Sequence, residues 1–441
     1  MPNEGAPSEA RTEWDLTGNH YVAFPMVNRQ SGAIHRINVL HRGLNGALEW
    51  CASTGSESDS EAILAPEVVV DGTPMSLSGL AWERIERWMP GFRAQLDDIH
   101  VQATLCAPAG GDPLLRGAVY RFRLENRGDR ERTLVVSLRG MLRWTLQVVM
   151  TSRPVRGENR IVAGRGTHGI VIESDTAAGT AALGLVVGGD EVRYLPGGGA
   201  DALQDFEPGD ERAAPNGQPL AFRASRTVRL GPDGRATVSF FLGVAPERDG
   251  ALETAGYLRS LGAEEMIRIG RLGLARLTRR IGDTSLAALF NRNLLFNYFF
   301  AVGRAIDDDR LYPIASRSSR FHRGAVFNER ECLLWSLPAL TLADPVLARE
   351  VLLRAFEQYS HRPGERARYL DGGVVVPGFA LDQLCAYVVA LDRYTAQTRD
   401  DTLREDPLIQ DVLRELDAAL LERLHPEVLL CSTWALPSGE P

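Results

Sequence analysis

The chain has 441 residues, a net charge of −8, 44% hydrophobic and 24% charged residues, which is a globular composition long enough for two domains. All 49 Lys+Arg residues are arginine, so Schiff-base, pyridoxal-phosphate, Ser-Lys and P-loop lysine chemistry is excluded. The arginines are dispersed and the five cysteines stand apart without a CxxC pair, which argues against nucleic acid, a disulfide framework and a zinc site.

The polar first residues lack the apolar core of a signal peptide, and no apolar run is long enough to span a bilayer. A cytoplasmic protein without a membrane partner is expected, with residues 1–18 disordered. Residues 19–247 read as short strands broken by Gly, Pro, Asn and Asp, so an antiparallel β-sandwich is expected there. Strands at 118–124 and 133–138 flank a Glu125-Asn126-Arg127-Gly128-Asp129 turn and read as a hairpin. A second hairpin is expected around Gly231-Pro232-Asp233-Gly234.

Helical spacing begins near Arg248. Residues 248–282 read as a helical linker, and five helices follow at 284–304, 328–342, 345–359, 379–398 and 407–424. Asp344-Pro345 and Asp406-Pro407 each place a capping Asp before a proline at the first helical position. The longer connections, at 307–327 and 361–378, are where function is expected. The Asp307-Asp308-Asp309 run lacks calcium-loop spacing and reads as a solvated turn.

Arg317, Arg320, Phe327, Glu329, Arg330, Glu331 and Trp335 gather arginines, carboxylates and aromatics at the mouth of one helix. Aromatic faces stack on the apolar side of a pyranose while arginine and carboxylate bond its hydroxyls. The structural explanation is equally specific, because Asn328 three residues before Glu331 is a capping-box spacing. Glu329 could be solvated, and Arg330 could be a surface ion pair. Asp371 lies in the next long loop, and Asp382 opens the following helix at the edge of a face made by Leu381, Leu384, Cys385 and Val388. Such a half-shielded aspartate suits a general acid, although Asp is also favoured in any first helical turn.

Asn328-Glu329-Arg330-Glu331 with Leu333, Leu334, Trp335 and Pro338 resembles the Trp-Gly-Arg-Asp motif of the six-hairpin glycosidases, in the glycogen-debranching, amylo-1,6-glucosidase-like and glucoamylase-like group. Ala380-Leu381-Asp382-Gln383 and Tyr394-x-x-x-Thr398-Arg399-Asp400 are similar to that family's second motif. The resemblance implies an N-terminal β-sandwich followed by an (α/α)6 toroid of helical hairpins, of which residues 283–441 would form the N-terminal part. It implies Asp382 as proton donor and Arg330 with Glu331 as binders of the terminal sugar, with no cofactor or metal. The family's base would lie beyond residue 441, so a second chain or further C-terminal sequence is expected to complete the barrel. The expected activity is an inverting, exo-acting glycoside hydrolase on an α-linked glucan or related oligosaccharide. A catalytically inactive carbohydrate-binding protein and a glycoside phosphorylase are the other readings.

Overall fold

The computed structural model describes residues 14–54, 61–75, 82–85, 88–109, 112–164, 169–189, 192–197, 210–318, 324–361 and 363–422. Two antiparallel sheets, of 11 and 9 strands among the described residues, pack face to face. Alternation drives this arrangement, since Tyr120, Phe122 and Leu124 of one sheet and Leu134, Val136 and Leu138 of the other turn inward to a common core with Trp50, Phe222 and Phe240.

Both expected hairpins are corrected. Gly117–Asn126 pairs with Ile99–Cys106 and Arg235–Ala245 in one sheet, whereas Arg132–Leu142 pairs with Leu64–Val70 and Leu220–Leu230 in the other. Each turn is therefore an arch that carries the chain between sheets. Buried Asn126 ties the two arches together, its amide donating to the carbonyls of Arg130, Leu230 and Gly231 at 2.8, 3.1 and 2.9 Å. The disordered start is corrected as well over Trp14–Gly18, a strand that pairs with Val22–Asn28 and is held by an ion pair at 3.0 Å between buried Asp15 and half-buried Arg29. Residues 1–13 lie outside the described residues.

Helices α1 (Arg248–Leu261) and α2 (Ala263–Leu277) follow the sandwich. The helix α1 docks on a row of glycines, Gly184, Gly243 and Gly117, that are register partners on adjacent strands. A Cβ added at Gly184 or Gly243 would stand 2.4 Å from the α1 backbone, so only glycine permits this approach. Gly243→Ala is expected to lower stability by about 1–3 kcal/mol through overpacking, measured as a lower thermal midpoint.

The remaining helices are α3 (Thr284–Phe300), α4 (Leu337–Ala343), α5 (Pro345–Tyr359), α6 (Leu381–Thr398), a single turn α7 (Thr402–Glu405) and α8 (Pro407–Leu421). A π-helical segment, Arg330–Ser336, runs directly into α4. The capping aspartates behave as their spacing predicts: Asp344 accepts from the amides of Val346 and Leu347, and Asp406 from those of Leu408 and Ile409. Leu333, Leu340, Leu352, Phe356, Tyr387, Ile409 and their neighbours form one apolar core shared by the π segment, α4, α5, α6 and α8.

Residues from the long 301–329 connection lock this helical part to the sandwich. Fully buried Arg317 donates to the carbonyls of Asn19, Tyr21 and Asn38 at 2.6, 2.8 and 3.1 Å. The Asp307–Asp309 run is a partly exposed turn whose carboxylates are also engaged. Asp307 accepts from the amides of Arg42 and Gly43, Asp308 from the Tyr312 hydroxyl, and Asp309 from the Tyr21 hydroxyl.

Candidate active site

Three pieces of chain meet where the π segment and α6 begin. Phe327 pairs through its backbone with Arg368, its amide and carbonyl bonded at 3.0 and 2.9 Å, and its ring lies 3.9 Å from that of Tyr359 in a parallel stack. That contact holds Phe327 in the core and fixes where the next residues start. Asn328 then accepts from the Glu331 amide at 3.2 Å, the bond expected of its capping spacing, and donates to the Arg366 carbonyl. From this anchored turn the π segment begins, and such widened turns are frequent at functional sites.

Arg330 extends across to α6 and grips Asp382 with a fork, Nε to Oδ2 at 2.5 Å and Nη2 to Oδ1 at 3.1 Å. The Arg330 side chain is buried, while that of Asp382 keeps 32% exposure, so the carboxylate forms the accessible surface of a pair whose cation lies beneath it. A two-point fork sets the direction of both groups.

Glu329 is fully buried, against the reading of it as solvated. Its Oε1 accepts from the Tyr387 hydroxyl at 3.2 Å and from Arg368 Nε at 3.4 Å. With its amide nitrogen turned toward this carboxylate, Gln383 donates to Oε2 at 2.8 Å and to the Glu365 carbonyl at 2.9 Å. Glu329 and Gln383 thus support Arg330 and Asp382, their immediate chain neighbours, from below.

Burial pushes the Glu329 carboxyl from 4.5 up to about 7, with Arg368 the main group pulling it back. The folded protein therefore holds this proton more tightly than the unfolded chain. The resulting stabilisation is complete below the unfolded value of 4.5 and is lost as pH rises toward about 7. Relative to Glu329→Gln, which mimics the protonated carboxyl, the wild type is expected to lose about 3 kcal/mol of stability between pH 4 and pH 8. Urea titrations of both proteins across that range check it, and a pH-independent difference would contradict it.

The other expected site residues are dispersed. Arg317 is committed to three carbonyls, and Phe327 is a core residue. Glu331 is buried at the start of the π segment, and Trp335 further along it is 60% exposed. Asp371 links the two parts of the molecule, its Oδ2 accepting from the Asn45 amide at 2.8 Å. Arg320 lies outside the described residues. Sequence reasoning missed Arg368, Gln383 and Tyr387. The last two stand four residues apart, polar groups on an otherwise apolar inward face of α6, and that spacing was the available signal. Among the described residues no group of three or more His, Cys, Asp or Glu is placed to hold a metal ion, and no helix is long and apolar enough to cross a membrane.

Comparison with solved structures places the whole arrangement. A structure from the human microbiome assigned as a kojibiose phosphorylase superposes with a TM-score of 0.57 at 10% identity, over 94% of this chain and 57% of that one. The two share a fold. A bacterial glucoamylase complexed with acarbose matches with a TM-score of 0.50 at 9% identity, over 93% of this chain and 59% of that one. The chain thus spans a little over half the length of these structures. No protein-family model matches the sequence, and no curated protein matches it.

Proposed function

We propose that the chain is the sandwich and the leading helical hairpins of a carbohydrate-active enzyme, an inverting exo-acting glycoside hydrolase on an α-linked glucan or related oligosaccharide. The observation that carries this reading is the Arg330–Asp382 fork, an accessible carboxylate oriented by a buried guanidinium where the π segment and α6 begin. In this reading the hydroxyls of the terminal sugar take over the Arg330 donors. Released from the fork, Asp382 takes up a proton from water at its exposed edge and passes it to the leaving-group oxygen as the glycosidic bond breaks, while a base on the rest of the barrel takes a proton from the attacking water on the opposite face.

The (α/α)6 toroid belongs to the same proposal. Helix α3 leaves Leu286 and Leu289 53% and 59% exposed, and Trp335 and Val388 are also exposed. Helices from further sequence or from a second chain would cover these faces and close the ring. A phosphorylase differs only in the acceptor, phosphate in place of water. Incubating the protein, joined by the further sequence or partner chain that closes the ring, with short α-glucans, with and without phosphate, separates the readings by product. Free sugar formed without phosphate supports the hydrolase, sugar phosphate formed only with phosphate replaces it with the phosphorylase, and binding without product replaces both with a carbohydrate-binding protein.

A further inference from the structure

A second chemical surface lies on the sandwich, away from the helices' mouth. On the strands Met89–Leu96, Ile99–Cys106, Gly117–Asn126 and Arg235–Ala245, alternation turns Ala94, Val101 and Leu124 into the core and their neighbours outward. Register then aligns the outward residues in two rows across the four strands. One row reads Arg93, Gln102, Arg123, Thr237, and the next reads Gln95, His100, Glu125, Arg235. These residues, except Gln95, line a furrow of about 940 Å³ that Arg127 also borders.

Four arginines against one carboxylate make this furrow cationic on a chain whose net charge is −8. The guanidinium groups of Arg123, Arg127 and Arg235 are held by carboxylates. Glu125 accepts from Arg127 and from Arg235 through Nε and Nη2 of each, leaving Nη1 outside both pairings. Glu264 of α2 accepts from Arg123 through Nη2 alone. Within the first row Arg93 and Arg123 stand two strands apart, about 9.5 Å, with Gln102 between them. Cations at alternate positions separated by a neutral amide, with Thr237 next in line, fit a chain of hydroxyl-bearing units that carries anionic groups at intervals. No Phe, Tyr or Trp is among the residues lining the furrow and His100 is its single ring, which disfavours single-stranded nucleic acid.

We propose that this furrow binds an anionic oligosaccharide, its carboxylate or sulfate groups held by Arg93, Arg123 and Arg235 and its hydroxyls by Gln102 and Thr237. The inference is independent of the reaction assigned to the helical part. Calorimetric titration of the 441-residue protein with hexagalacturonate, a heparin hexasaccharide, maltohexaose and a single-stranded oligonucleotide tests it. At least one of the two anionic sugars is expected to bind, and the tighter of them identifies the anion as carboxylate or sulfate. Binding should weaken at least about tenfold in an Arg93→Ser/Arg235→Ser double variant and on raising the salt. Gln102→Glu, which places a carboxylate between the two arginines while leaving them intact, should weaken it similarly. Absence of binding by both anionic sugars, unchanged binding in folded variants, or equal binding of maltohexaose or the oligonucleotide would overturn the proposal.

Discussion

Arg317→Ala is expected to lower the unfolding free energy by about 3 kcal/mol or more. The side chain is fully buried and its two terminal nitrogens serve the carbonyls of Asn19, Tyr21 and Asn38. Burial draws its guanidinium down to about 9, which still leaves it charged at neutral pH. Removing it strands three carbonyls in the seam that joins the sandwich to the helical part. Arg317→Met separates hydrogen bonding from volume, because it fills much of the space without donating. Urea unfolding should show a comparable loss for both variants, and a methionine variant as stable as the wild type would assign the effect to packing.

Asp382→Asn is expected to reduce turnover by about 10²–10⁴-fold, the range typical of a lost general acid. Stability should change little, because the side chain is 32% exposed and an asparagine carbonyl can still accept from Arg330. Arg330→Gln should act differently. It removes a buried fork that orients the carboxylate and, in the proposed function, contacts the sugar, so KM is expected to rise along with the fall in kcat. A fall in kcat alone would place Arg330 in positioning Asp382 and outside substrate binding.

The parts of the molecule that were legible in the sequence are those set by short-range chemistry. The Asp-Pro pairs before α5 and α8 marked two helix starts because cap, proline and apolar period all act within one turn. The outward and inward residues of 118–124 were legible for the same reason, from a period of two. The partner of that strand was not. A turn such as Glu125-Asn126-Arg127-Gly128 specifies that the chain reverses, while the choice between a neighbouring strand and the opposite sheet rests on Asn126 reaching carbonyls as far as Leu230. Arg317 was misjudged on similar grounds, since its partners lie nearly 300 residues away. At the candidate site, motif resemblance singled out Arg330 and Asp382 without showing that they touch. Glu329 owes its raised pKa to burial, which Arg368 and Tyr387, from two other elements, partly offset.

The most direct measurement is a proton NMR time course on a short α-linked gluco-oligosaccharide, run with the enzyme completed by the sequence or partner chain that closes the ring, as wild type and as Asp382→Asn. The account predicts that the wild type releases sugar first as the β-anomer, the inverted configuration, and that the variant releases almost none. An Asp382→Asn protein that turns over at the wild-type rate, or a wild-type product that first appears as the α-anomer, would contradict it.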